Sequence, residues 1–176
     1  MYTILKFTTI AICAASIAAA QSPAGTESLD VKGGSISIKY NSPRVNGRAG
    51  KLFGAGGRIS SDQNYPIWRA GANSATKFHT DVDLMVGGTL VPKGDYTLYI
   101  DLSDAANWQL VINKKTGQWG LSYDKSSDAA RAKMTMSKPA AMIENLKYTL
   151  TDQGGGKVQL TLGWENFSAS TVMNVK

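Results

Sequence analysis

Apolar and polar residues alternate along most of this chain. Ser35-Ile36-Ser37-Ile38-Lys39-Tyr40, Asp95-Tyr96-Thr97-Leu98-Tyr99-Ile100-Asp101-Leu102 and Trp108-Gln109-Leu110-Val111-Ile112 each put every second side chain on one face. Ala132 to Met136, Leu146 to Leu150, Val158 to Leu162 and Thr171 to Val175 repeat the pattern. A period of two predicts strands with one buried side. Turn-forming clusters separate them: Lys32-Gly33-Gly34, Gly87-Gly88, Pro92-Lys93-Gly94, Lys115-Thr116-Gly117 and Asp152 to Gly156. The first predicts a hairpin, and the glycine run at 154–156 joins two further strands. No stretch sustains a 3.6-residue period, and Ser126 to Arg131 reaches at most one helical turn. The expected fold is all-β: a two-sheet antiparallel sandwich, jelly-roll-like, over residues 29–176, with residues 21–28 as a flexible lead.

The first twenty residues differ. Lys6 precedes an apolar stretch from Phe7 to Ile17, and Ala18-Ala19-Ala20 stands ahead of Gln21-Ser22-Pro23. A basic start, a short apolar core and small residues before the cut define a signal peptide, so residues 1–20 are expected to direct export to the periplasm or beyond and to be removed after Ala20. A spanning helix needs about 20 apolar residues, more than this run supplies. Membrane contact is thus expected only through this segment, before cleavage. Ile12 before Cys13 argues against a lipidation site. Cleavage removes Cys13, the single cysteine of the 176 residues, and with it disulfide, thiol and Cys-ligated metal chemistry.

Charge is uneven. The whole chain carries +6. Between Lys39 and Lys77 lie Lys39, Arg44, Arg48, Lys51, Arg58, Arg69 and Lys77 against the single acid Asp62, whereas residues 81–128 are acidic on balance. Such a segment either forms solvated loops or attracts anions: acidic glycans, lipid headgroups or phosphate. Nucleic acid is not expected, because aromatics that could stack bases are not interleaved there. Asn41 to Asn73 also breaks the strand pattern with six glycines and two prolines. A long irregular segment inside a compact domain is the favoured place for a binding surface, and Phe53, Ile59, Tyr65, Ile67 and Trp68 predict that it packs.

Catalytic signatures are sparse. His79 is the only histidine, so the usual zinc sets cannot form, and no Gly-x-Ser-x-Gly elbow presents a serine to it. No cofactor or metal is expected. Asp81 and Asp83 fall on one side of an extended chain about 7 Å apart, a spacing open to a glycosidase pair or a calcium site. Gly54-Ala55-Gly56-Gly57-Arg58 lacks the Gly-Lys-Ser/Thr ending of a phosphate loop and reads as a turn. Trp68, Trp108, Trp119 and Trp164 either pack the core or offer a face to sugars.

Ser42-Pro43-Arg44 and the block Ile67-Trp68-Arg69-Ala70-Gly71-Ala72-Asn73-Ser74-Ala75-Thr76 closely resemble the domain of unknown function 2911 family of bacterial exported proteins. Leu90 to Leu98, Trp108 to Lys114, Gln118-Trp119-Gly120, Tyr123-Asp124, Asp128 with Arg131, and Trp164-Glu165 also fit, so the likeness spans roughly residues 29–176. The resemblance implies an exported β domain and supplies no catalytic residue. Physically, Arg44, Arg69, Asn73, Asp128 and Arg131, with Trp68, would make an anion or carbohydrate pocket if gathered on one face. The other reading has them hydrogen-bonding loops and pairing across strands. A binding module for a glycan, lipid headgroup or anionic small molecule is the first expectation. A cofactor-free hydrolase using Asp81 and Asp83, or a structural envelope partner, is the alternative.

Overall fold

A computed structural model describes residues 22–176; the expected signal peptide lies outside the described residues. The alternation folds into two antiparallel sheets. The first runs in the order β1 (Ala24–Val31), β2 (Gly34–Asn41), β4 (Thr76–Thr80), β7 (Gly94–Asp101), β8 (Gln109–Asn113) and β9 (Asp128–Lys133), with the two-residue β3 (Ile67–Trp68) also on β7. The second runs β11 (Ile143–Asp152), β12 (Lys157–Glu165), β13 (Phe167–Val175), β5 (Leu84–Val86) and β6 (Thr89–Val91), with β10 (Thr135–Ser137) also on β13. The expected all-β sandwich of two antiparallel sheets is what forms. Hairpins close where glycines allow: Val31 faces Gly34 across Lys32-Gly33, and Val86 faces Thr89 across Gly87-Gly88.

Between the sheets lie Ile36, Ile38, Phe78, Leu98 and Ile100 from one side and Leu146, Leu160, Leu162 and Met173 from the other, all essentially inaccessible to water. Each such side chain contributes about 1.5–3 kcal/mol by leaving water. Strand β7 is buried on both faces. Tyr96, Leu98 and Ile100 enter the core, while Thr97 and Tyr99 are covered by Gln118, whose Nε2 donates to Thr97 Oγ1 (3.3 Å) and Tyr99 Oη (3.1 Å).

The flexible lead expected over residues 21–28 is corrected in its larger part. From Ala24 onward the chain pairs residue by residue with β2, Ala24 opposite Asn41. Apolar alternation hides this strand because an acid takes a half-buried position: Glu27 Oε1 accepts from Leu150 N at 3.0 Å, joining β1 to β11 across the gap between the sheets. Three outer N–H groups of β11 are engaged in this way. Leu146 N donates to Pro43 O (3.0 Å), Tyr148 N to Tyr40 Oη (3.3 Å), and Leu150 N to Glu27.

Candidate functional site

Strands β3 and β4 share one edge of β7: Trp68 pairs with Ile100 and Thr76 with Leu98. The chain between them, Arg69 to Ala75, must bulge away, and this bulge carries the sequence block singled out above. Ala70 (φ 45°) and Asn73 (φ 59°) both sit in the left-handed region. Asparagine tolerates that conformation, whereas for alanine it costs about 1–2 kcal/mol and must be held by neighbours. The Ala70 carbonyl accepts from Tyr148 Oη (2.9 Å) and Thr76 Oγ1 (3.3 Å). Two glycines are required by close approach: a Cβ on Gly71 would lie 2.8 Å from Thr76 Oγ1, and one on Gly120 would lie 2.5 Å from Arg69 Cδ and 2.9 Å from Asn73 O. Arg69 therefore passes over Gly120, and the bulge is geometrically fixed.

Two isolated bridges bring further chain to this bulge. Ser74 pairs with Trp119, and Arg44 pairs with Asn145 where β11 breaks register between Ile143 and Lys147. The irregular segment 41–73 closes the remaining side, anchored by Leu52, Ile59 and Trp68, all buried. The result is a groove of about 850 Å³. Arg44, Arg48, Arg58 and Arg69 line it with the amides of Asn46, Asn73 and Asn145 and the indoles of Trp68, Trp119 and Trp164; Asp62 is its only acid.

The four cations are not equally free. Arg48 is spent on backbone, donating to Val45 O (2.9 Å) and Arg44 O (2.6 Å). Arg44 lies 3.5 Å from Glu144, and Arg69 a loose 3.9 Å from Asp62. For Arg58 no side-chain hydrogen bond or ion pair occurs among the described residues. Trp119 is 54% exposed, unlike the buried Trp68, Trp108 and Trp164. The indole N–H of Trp164 has no acceptor among the described residues. The arrangement offers forked donors for an anion, amides for hydroxyls and one open aromatic face.

Of the six residues expected at a site, Arg44, Trp68, Arg69 and Asn73 meet in this groove. Asp128 and Arg131 do not, which corrects their inclusion. They belong to a closed network on the outer face of the first sheet. Arg131 donates to Asp101 Oδ2 (2.6 Å), to Asp128 Oδ2 (2.9 and 3.0 Å) and to Tyr123 Oη (2.9 Å), while Asn113 also donates to Asp128 (2.8 Å). Burial first, and the hydrogen bond to Asp128 second, push the Tyr123 phenol up to about 12. Every member is satisfied by the others, so the cluster holds β7, β8 and β9 together. Sequence position could not separate the two arginine groups, since a ligand pocket and a closed ion network draw on the same residue types; Arg131 lies within β9.

Asp81 and Asp83 are also engaged elsewhere. Asp81 accepts from Ser35 N (2.9 Å) and Ser35 Oγ (2.8 Å) and lies 3.1 Å from His79 Nε2; these contacts, the His79 bond foremost, hold its carboxyl down to about 2. Asp83 accepts from Lys93 N at 2.8 Å. Neither lines the groove. Trp119 and Trp164, expected either in the core or as faces for sugars, also line the groove, Trp119 open and Trp164 buried. Arg48 and Arg58 were marked in the sequence only by the basic run from Lys39 to Lys77, and no local signal marks Asn46 or Asn145.

No curated protein and no solved structure matched this chain. Residues 22–173 match a family described as a protein of unknown function (DUF2911), and on that match the chain belongs to the DUF2911 family.

Proposed function

We propose that this protein is a binding module for acidic carbohydrate, acting outside the cytoplasm after loss of residues 1–20. The observation that carries this reading is a single 850 Å³ groove lined by four arginines, three asparagines and an exposed tryptophan, with one acid among them. A groove of that size lies within the range of small-molecule sites. The planar arginine fork matches a carboxylate or sulfate in two hydrogen bonds, asparagine amides serve ring hydroxyls, and the Trp119 face serves the apolar side of a pyranose. A two-carboxylate hydrolase draws less support: Asp62 is the groove's only acid and it leans on Arg69, whereas glycoside hydrolysis ordinarily needs a flanking pair.

The test is a glycan array of uronate-containing, sulfated and neutral oligosaccharides, followed by calorimetry on the hits. Acidic glycans are expected to bind in preference to neutral or methyl-esterified counterparts. Arg58→Ala, which removes a cation with no structural partner, should weaken binding by about 10–100-fold, the value of one charge-assisted pair, with the melting temperature unchanged. Equal binding of the methyl ester would overturn the reading. So would binding only to vesicles of anionic phospholipid, which would assign the groove to lipid headgroups.

A further inference from the structure

A second cavity, of about 340 Å³, shares Ile59 with the arginine groove and has the opposite chemistry. Its walls include Phe53, Tyr65, Leu102, Trp108 and Phe167, and Glu165 lines it with them. Glu165 follows from the local fold. Trp164 pairs with Phe167, so Glu165 and Asn166 form the two-residue turn between β12 and β13, and Glu165 takes φ 56°. Such turns favour glycine or asparagine at a left-handed position. Instead a glutamate stands there, 1% exposed, the one charged residue among the buried polar side chains of the described residues.

Its carboxyl group is half satisfied. Oε1 accepts from Gly50 N. No lysine, arginine or histidine lies within ion-pair distance, and no other hydrogen bond among the described residues reaches the carboxylate. Such a carboxylate, with no counter-ion among the described residues and lining the cavity, favours a cation that reaches it from there. The aromatic walls are close-packed: Phe53 to Phe167 at 4.8 Å, Phe53 to Trp108 at 5.1 Å and Trp108 to Phe167 at 5.5 Å between ring centroids. Aromatic faces attract cations, more strongly where water is excluded.

We propose that this cavity binds a small organic cation, an ammonium group carried on an apolar body. The ammonium meets Glu165 and the aromatic faces, and the body fills the space beside Leu102 and Tyr65. A metal ion fits poorly, since hard cations demand several oxygen ligands and these walls provide one carboxylate. A purely apolar guest would leave the carboxylate unpaired. The volume, at the low end for small-molecule sites, admits one ring and a short chain.

The probes are 2-phenylethylammonium, its N-trimethylated analogue and the neutral 2-phenylethanol, titrated calorimetrically into residues 21–176 at neutral pH. At least one cation should bind, and the alcohol at least about tenfold more weakly. Glu165→Gln keeps the shape and the acceptor for Gly50 N, so it should fold while losing at least tenfold in cation affinity. Tyr65→Ala, at a position 42% exposed, should weaken the cation with little effect on melting temperature. Neither variant should alter acidic-glycan binding. The proposal fails if neither cation binds at millimolar concentration, if the alcohol matches them, or if Glu165→Gln and Tyr65→Ala both bind as the parent does.

Discussion

Tyr148→Phe isolates the contact by which the second sheet holds the groove's central bulge. Tyr148 is 2% exposed, and its hydroxyl donates at 2.9 Å to the carbonyl of Ala70, the residue forced to φ 45°. Burial raises the phenol well above its ordinary range, so the group remains a donor at any pH used for assay. Phenylalanine keeps the ring and its edge-to-face contact with Tyr40, centroids 4.9 Å apart. The loss is therefore confined to one hydrogen bond and the partial orphaning of a buried carbonyl. Thr76 Oγ1 still reaches that oxygen at 3.3 Å, sharing its one proton with Arg69 O at 3.2 Å, which lowers the cost from the upper end of the range to about 1–2 kcal/mol. For a domain of this size that corresponds to a melting temperature lower by about 2–8 °C. Thermal unfolding followed by circular dichroism reads the shift, and hydrogen exchange at residues 69–75 reads the loosening. The local amides should exchange faster while those of β12 do not change. A shift under 1 °C with unchanged exchange would refute the reasoning, because Thr76 alone would then suffice to hold Ala70.

Two other outcomes follow from polar clusters away from the groove. His79 is the lone histidine, so its ring protons give an unambiguous NMR titration. Hydrogen bonds with Asp81 and then Asp95 raise its folded-state pKa above 6.5. The associated stabilisation is complete below about pH 6.5 and is lost as pH rises through the folded value. Asp81→Asn should lower the midpoint, and a parent value at or below 6.5 would contradict the geometry. Arg131→Leu strips two carboxylates of their counter-ion, Asp101 and Asp128, whose side chains are each 14% exposed. A loss of about 3 kcal/mol, some 6–12 °C in melting temperature, is expected; a loss below 1 kcal/mol would mean that the network is ornamental.

The sandwich was legible because strands such as β2 and β12 alternate strictly and because Gly33 and Gly154–Gly156 mark their hairpins. Strand β1 was not, since Glu27 holds a half-buried position where an apolar residue would have announced a strand. The groove was half legible. Trp68, Arg69 and Asn73 are neighbours in sequence, and Arg44 shares their basic segment. Asn145, Trp119 and Trp164 arrive from three other places through the Arg44–Asn145 and Ser74–Trp119 bridges and the end of β12, and no local pattern encodes such meetings. Asp128 and Arg131 misled because a satisfied ion network and a ligand pocket use the same residue types. Only the acceptors, Asp101 and Tyr123, separate the two.

The engaged edge of β11 has a consequence for behaviour at high concentration. An outer strand ordinarily offers a row of unpaired N–H groups on which a second molecule can add a strand of its own, the first step toward fibrils. Here Pro43, Tyr40 and Glu27 have taken those donors at Leu146, Tyr148 and Leu150. Of the three, Glu27 alone sits on β1, so detachment of the first strand would free Leu150 N, whereas Tyr40 lies on β2, whose Ile36 and Ile38 are core residues. Self-association of this domain should therefore begin at the Leu150 end of β11, with fraying of β1 while the core stays closed.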